Sequence, residues 1–74
     1  MSDDLDATGL LCPLPVLKLR KRLQGVAVGD HVRLRADDPA AMVDVPHFCA
    51  ESGHVLVEVL EDSAAQVYLV RKAG

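Results

Sequence analysis

The sequence predicts an α+β fold: a two-layer α/β sandwich in the order β-α-β-α-β-β, with a mixed four-stranded sheet and two helices on one face. Three observations carry this. HVRLRA (31–36) alternates without interruption, Val32, Leu34 and Ala36 against His31, Arg33 and Arg35, as a strand with one buried and one solvated face does. Residues 13–24 repeat apolar side chains at helical spacing. The last third holds two β-rich runs, HVLVEVL (54–60) and AQVYLVRK (65–72), around EDSA, a hairpin turn. The chain has 74 residues, half of them apolar, which suffices for a single domain (1–74) with a small aliphatic core.

Taken in order, DLDAT (4–8) alternates Leu5 and Ala7 against Asp4, Asp6 and Thr8, a short strand that Gly9 ends. A helix from Pro13 to Gln24 places Val16, Leu19 and Leu23 on one face, with Lys18, Lys21 and Arg22 opposite. Gly25 stands where a left-handed helix C-terminus is expected. VGD (28–30) is a turn into the second strand. Asp38 before Pro39 and Asp44 before Val45-Pro46 are two helix-start signatures. They predict a short helical turn, a break, and then a helix to about Ser52, closed by Gly53.

Composition narrows the function. Tyr68 and Phe48 are the only aromatic residues, too few to stack bases, and the net charge is −3. No strong direct nucleic-acid binding is expected. No apolar run is long enough to cross a membrane, and the acidic start lacks the features of a signal peptide. With two cysteines the chain is no disulfide scaffold, so a cytoplasmic protein with reduced thiols is expected.

GLLCPLPVLKLRK (9–21) is the stretch that carries chemistry. A proline is tolerated in a first helical turn because the N–H it lacks has no intrahelical partner. With Cys12 as N-cap, Pro13 takes N1 and Pro15 takes N3, stiffening the turn below the thiol. Cysteine is a poor cap, which argues against a purely structural role. At that position the positive end of the helix dipole is expected to lower the thiol pKa. No C-x-x-C is present, so Cys12 reads as a lone nucleophile or a sulfur carrier, its cargo a persulfide.

At this point the chain resembles the TusA/SirA-like sulfur-carrier family, named for a tRNA 2-thiouridine synthesis protein. The likeness covers nearly the whole sequence: LDATGLLCPLPVLKLRK with its C-P-x-P motif, then ADDPA, DVPHFC and a final YLVRKAG. The resemblance implies a βαβαββ sandwich like the C-terminal domain of translation initiation factor three. It also implies a persulfide relay, with Cys12 accepting sulfane sulfur from a cysteine desulfurase or rhodanese-like donor and passing it to an acceptor protein. The end product in the family is 2-thiolated tRNA or another product of sulfur metabolism. Leu14 stands where the tRNA-thiolation members carry an acidic residue, and Val43 where a basic one is familiar.

The remaining polar groups read two ways. Lys18, Arg20, Lys21 and Arg22 are a solvated helix face or a docking patch for acidic partners. Asp37 and Asp38 are helix-capping residues, or, by the resemblance, one of them lies near Cys12 and shapes its contacts. Cys49, on one face with Val45 and Phe48, is expected to be a buried thiol. His31, His47 and His54 lack ligand spacing, so neither metal nor cofactor is expected. The chain thus reads as a monomeric sulfurtransferase-type relay rather than a turnover enzyme. Two alternatives remain: a regulatory or RNA-binding module using the basic helix, and a thiol-redox protein using both cysteines.

Overall fold

The computed structural model describes residues 2–74 as β1 (Ser2–Asp6), α1 (Leu14–Gln24), β2 (His31–Ala36), α2 (Ala41–Ser52), β3 (Val55–Asp62) and β4 (Ala65–Arg71). The strands form one mixed sheet in the order β1-β2-β4-β3. β1 runs parallel to β2, and β4 lies antiparallel between β2 and β3. This is the predicted α+β architecture, because each helix crosses between two parallel strands and only β3 and β4 share a tight turn.

The alternation of β2 sets the layers. Val32, Leu34 and Ala36 are fully buried, and they face Leu5 of β1 and Tyr68 and Val70 of β4 in register. Leu19 and Leu23 of α1 and Ala41, Val45 and Cys49 of α2 close over them in one cluster. Arg33 and Arg35 point to the open face, where they pair with Asp4 at 3.6 Å and Asp62 at 3.3 Å.

Several boundaries differ from the sequence reading for identifiable reasons. β1 ends at Asp6 rather than Thr8, because the Asp6 carboxylate takes both the Thr8 amide (3.0 Å) and hydroxyl (2.7 Å) and folds the chain into a turn. Pro15 joins Leu19 and Leu23 as a buried residue of α1, and Val16 is only half-buried. Arg22 does not stand opposite the core side. It curls back to Asp3 (2.9 Å) and the Asp4 carbonyl (3.2 Å). Gly25 keeps a right-handed backbone (φ −95°), whereas Gly53 takes the left-handed one (φ 82°).

The expected break before Asp44 is absent. α2 runs through Pro46, because Ala41, Val45 and Cys49 form one continuous buried stripe whose burial outweighs the hydrogen bond proline cannot make. The hairpin is tighter than EDSA implies. Pairing persists to Asp62–Ala65 and leaves a two-residue loop with Ser63 at φ 56°.

Tyr68 supplies the largest side chain of the core, and among the described residues its buried hydroxyl has no hydrogen-bond partner. Burial, with a smaller contribution from the Asp38 carboxylate, pushes its pKa up. An unpartnered buried hydroxyl costs about 1–3 kcal/mol. Tyr68→Phe should therefore leave the urea midpoint unchanged or raise it; a fall would mean that the hydroxyl is bonded in solution.

Candidate functional site

Parallel pairing of β1 and β2 builds the site. The loops leaving the C-terminal ends of two parallel neighbours emerge side by side, so residues 7–13 meet residues 37–40. The Ala7 amide still reaches the Arg35 carbonyl at 2.8 Å, carrying the ladder into the loop. Beyond it, Gly9 turns with φ 79°, which a side chain would strain. The two aspartates of the second loop then hold the first. Asp37 Oδ1 accepts the Gly9 amide at 3.0 Å, and Asp38 Oδ2 accepts the Cys12 amide at 2.5 Å. Asp38 Oδ1 also takes the Ala40 amide at 3.1 Å, and the Asp38 carbonyl takes the Ala41 amide at 3.0 Å. The Asp38 carboxylate thus holds the turn that leads into α2 and anchors Cys12. Neither aspartate is the N-cap of α2, which is Ala40; Asp38 is the one that meets Cys12, while Asp37 acts three residues upstream of the thiol.

Cys12 is exposed, but it is not the N-cap. That position belongs to Pro13, followed by Leu14 at N1 and Pro15 at N2. The two prolines have no N–H, and the Leu14 amide is bound to the Leu11 carbonyl at 2.9 Å. The first turn therefore aims few donors at the sulfur. What meets the sulfur instead is acidic: Cys12 Sγ donates to Asp44 Oδ2, on the first turn of α2, at 2.6 Å. This bond, then desolvation and the charges of Asp44 and Asp38, raise the Cys12 pKa above the ordinary thiol value. The sequence reading expected a lowered one. The direction reverses because one carboxylate bonded to the sulfur and a second bonded to the Cys12 amide outweigh a helix terminus whose donors are already spent.

Asp44 is the residue that sequence reasoning missed. Its position two before Pro46 reads as a helix start and conceals its role. Its placement in the first turn of the helix that follows the Asp37-Asp38 loop, at the sheet end where both loops emerge, is the signal that could have found it.

Around the sulfur, Leu11, Leu14, Met42 and Val43 are exposed by 72%, 47%, 57% and 71%. Leu11 and Leu14 flank Cys12 in the chain, and Met42 and Val43 precede the Asp44 that bonds its sulfur, so exposed apolar side chains accompany both halves of the contact. Lys18 and Lys21 continue along the exposed side of α1, whereas Arg22 is engaged by β1. Cys49 is a free thiol 3% exposed in the core, its pKa raised by burial. The described residues contain no group of His, Cys, Asp and Glu placed to hold a metal. His47 bonds Glu51 one turn on (2.9 Å), and His54 packs against Phe48. No helix among the described residues is long and apolar enough to cross a membrane.

An exposed, positioned, solitary thiol accompanied by exposed apolar side chains suits a protein that exchanges a group with other proteins, and the comparisons agree. The chain is 43% identical over 68 residues to "Sulfur carrier protein TusA" of Pseudomonas paraeruginosa, covering 92% of this chain and 86% of that one. It is 41% identical to the protein of the same name from Pseudomonas putida, covering 92% and 85%. Its fold matches the crystal structure of a SirA-like protein from Desulfitobacterium hafniense over the full length of both chains, with a TM-score of 0.84 at 22% identity. The family described as "Sulfurtransferase TusA" matches residues 3–72, and to that family the chain belongs.

Proposed function

We propose that this protein carries sulfane sulfur as a persulfide on Cys12 and relays it between proteins. The observation that supports this best is the clamped loop: Asp37 and Asp38 fix the backbone that leads to an exposed thiol, at the Gly9 amide and at the Cys12 amide itself. In loading, the Cys12 thiolate attacks the outer sulfur of a donor persulfide, R–S–SH. The new Sγ–S bond forms as the donor's S–S bond breaks, and the electron pair leaves on R–S⁻, which takes up the proton Cys12 released. Discharge repeats the exchange with an acceptor thiolate as nucleophile, so no net oxidation occurs. The donor is a cysteine desulfurase or a rhodanese-like protein, and the acceptor belongs to tRNA 2-thiolation or related sulfur metabolism. Leu11, Leu14 and Val43 supply the contact surface and Lys18 and Lys21 the charged flank, a combination suited to brief, salt-sensitive encounters.

The test is a pulse and chase with radiolabelled cysteine and a cysteine desulfurase. The wild type should take up label that a thiol reductant removes and that a downstream thiol acceptor discharges; Cys12→Ser should remain blank. Label uptake by Cys12→Ser, or no uptake from either desulfurase or rhodanese with thiosulfate, would overturn the proposal. RNA binding that survives Cys12→Ser and falls steeply with salt would favour a binding module instead.

A further inference from the structure

A carboxylate in contact with the thiol is the opposite of what activates a resting nucleophile. The two acidic groups that act on the Cys12 thiol, Asp44 and Asp38, both oppose its ionisation. Asp44 comes from the first turn of α2 and Asp38 from the loop before it, while Asp37 holds Gly9 just upstream. On the α1 side the neighbours are Pro13, Leu14 and Pro15, and no basic side chain offsets the rise in the thiol pKa. The contact between Asp44 Oδ2 and Sγ therefore requires a proton on the sulfur.

We propose that Asp44 distinguishes the empty carrier from the loaded one, holding the Cys12 thiol by its S–H hydrogen bond and releasing the persulfide. The proposal rests on the persulfide reading of Cys12. The chemistry of the two forms sets the direction. In the empty protein the S–H donates to Asp44 and the sulfur is tethered, protonated and poorly nucleophilic. Loading replaces the Sγ–H bond with an Sγ–S bond, and the proton leaves with the donor thiol. Sγ then has nothing to donate. A hydropersulfide is a stronger acid than its parent thiol, so its outer sulfur is an anion at neutral pH. Asp44 and Asp38 repel that anion, and the open direction is outward, towards the exposed Leu11, Leu14 and Val43, where an acceptor docks. The empty carrier is shielded from stray electrophiles, and a donor has to free the thiol from Asp44 before it can load.

Alkylation by iodoacetamide, followed by intact mass as a function of pH, tests this. It compares Asp44 and Asp44→Asn, both in a Cys49→Ser background, as empty protein and after loading with inorganic polysulfide. Empty Asp44→Asn should react on the order of tenfold faster at neutral pH, its profile moved to lower pH. The two loaded proteins should react at rates within about twofold of each other at neutral pH, because a hydropersulfide is acidic enough to be ionised there with or without Asp44, and the released outer sulfur stands away from it. Should Asp44→Asn fail to fold, Asp44→Ser removes the same charge and is expected to shift the profile in the same direction. An unchanged profile for the empty protein overturns the proposal, as does an equal acceleration of both forms. Polysulfide loads an accessible thiol chemically, so these comparisons stand even if no protein donor loads Cys12. That second failure would count against the relay and not against the contact.

Discussion

Replacing Asp38 with alanine should slow donor-driven loading of Cys12 by about ten- to a hundredfold while leaving a folded protein. The carboxylate divides its two oxygens between the Cys12 and Ala40 amides, at 2.5 and 3.1 Å. Alanine releases both, freeing the cysteine loop from the start of α2, and a shift of about 1 Å in a reacting atom can cost on the order of a hundredfold in rate. The loss of these two hydrogen bonds should lower stability by about 1–2 kcal/mol. Asp38→Asn is the instructive intermediate, because the two N–H groups bond different carboxylate oxygens, and the amide puts an NH2 donor in the place of one of them. Asp37→Ala, which releases only the Gly9 amide, should have the smallest effect. Asp38 also works against the thiolate. Alkylation of Cys12 in Asp38→Ala should therefore hold or quicken even as loading slows, a divergence that general loosening of the fold would not produce. Loading at the wild-type rate would show that the clamp does not position the sulfur.

Leu34→Ala should be the most damaging single truncation in the sheet. Leu34 is fully buried at the centre of β2, in register with Leu5 on one side and Tyr68 on the other, under both helices. A leucine truncation in such a position costs about 2–5 kcal/mol, through lost burial and the cavity left behind. A domain this small holds roughly 0.05–0.15 kcal/mol of stability per residue, so the change removes a large share of the total. Urea unfolding at neutral pH should show a much lower midpoint with an unchanged slope. A shift no larger than that of an exposed position such as Leu60→Ala would contradict the packing described.

How far the sequence revealed this protein varies by element. The alternation in 31–36 gave the central strand and its two faces, because burial on one side leaves a period of two that no neighbour can disguise. Prolines were harder to read. Pro46 looks like a helix start, yet it lies inside α2, since the stripe of Ala41, Val45 and Cys49 holds the helix together across it. At Cys12 the motif was legible but its electrostatics were not. A helix end exerts its field through α1 alone, whereas the thiol environment is set by Asp38 and Asp44, distant in sequence and brought over by the parallel pairing of β1 and β2. The sequence also left open which aspartate meets the cysteine, a matter of register between two loops that local spacing does not encode.

The most direct test of the central claim is the intact mass of wild type, Cys12→Ser and Cys49→Ser after incubation with a cysteine desulfurase and cysteine. Wild type and Cys49→Ser should each gain the mass of one sulfur atom, reversibly by reductant, and Cys12→Ser should gain none. Equal gain in Cys12→Ser, or loss of the gain in Cys49→Ser, would contradict the assignment of Cys12 as the residue that bears the sulfur.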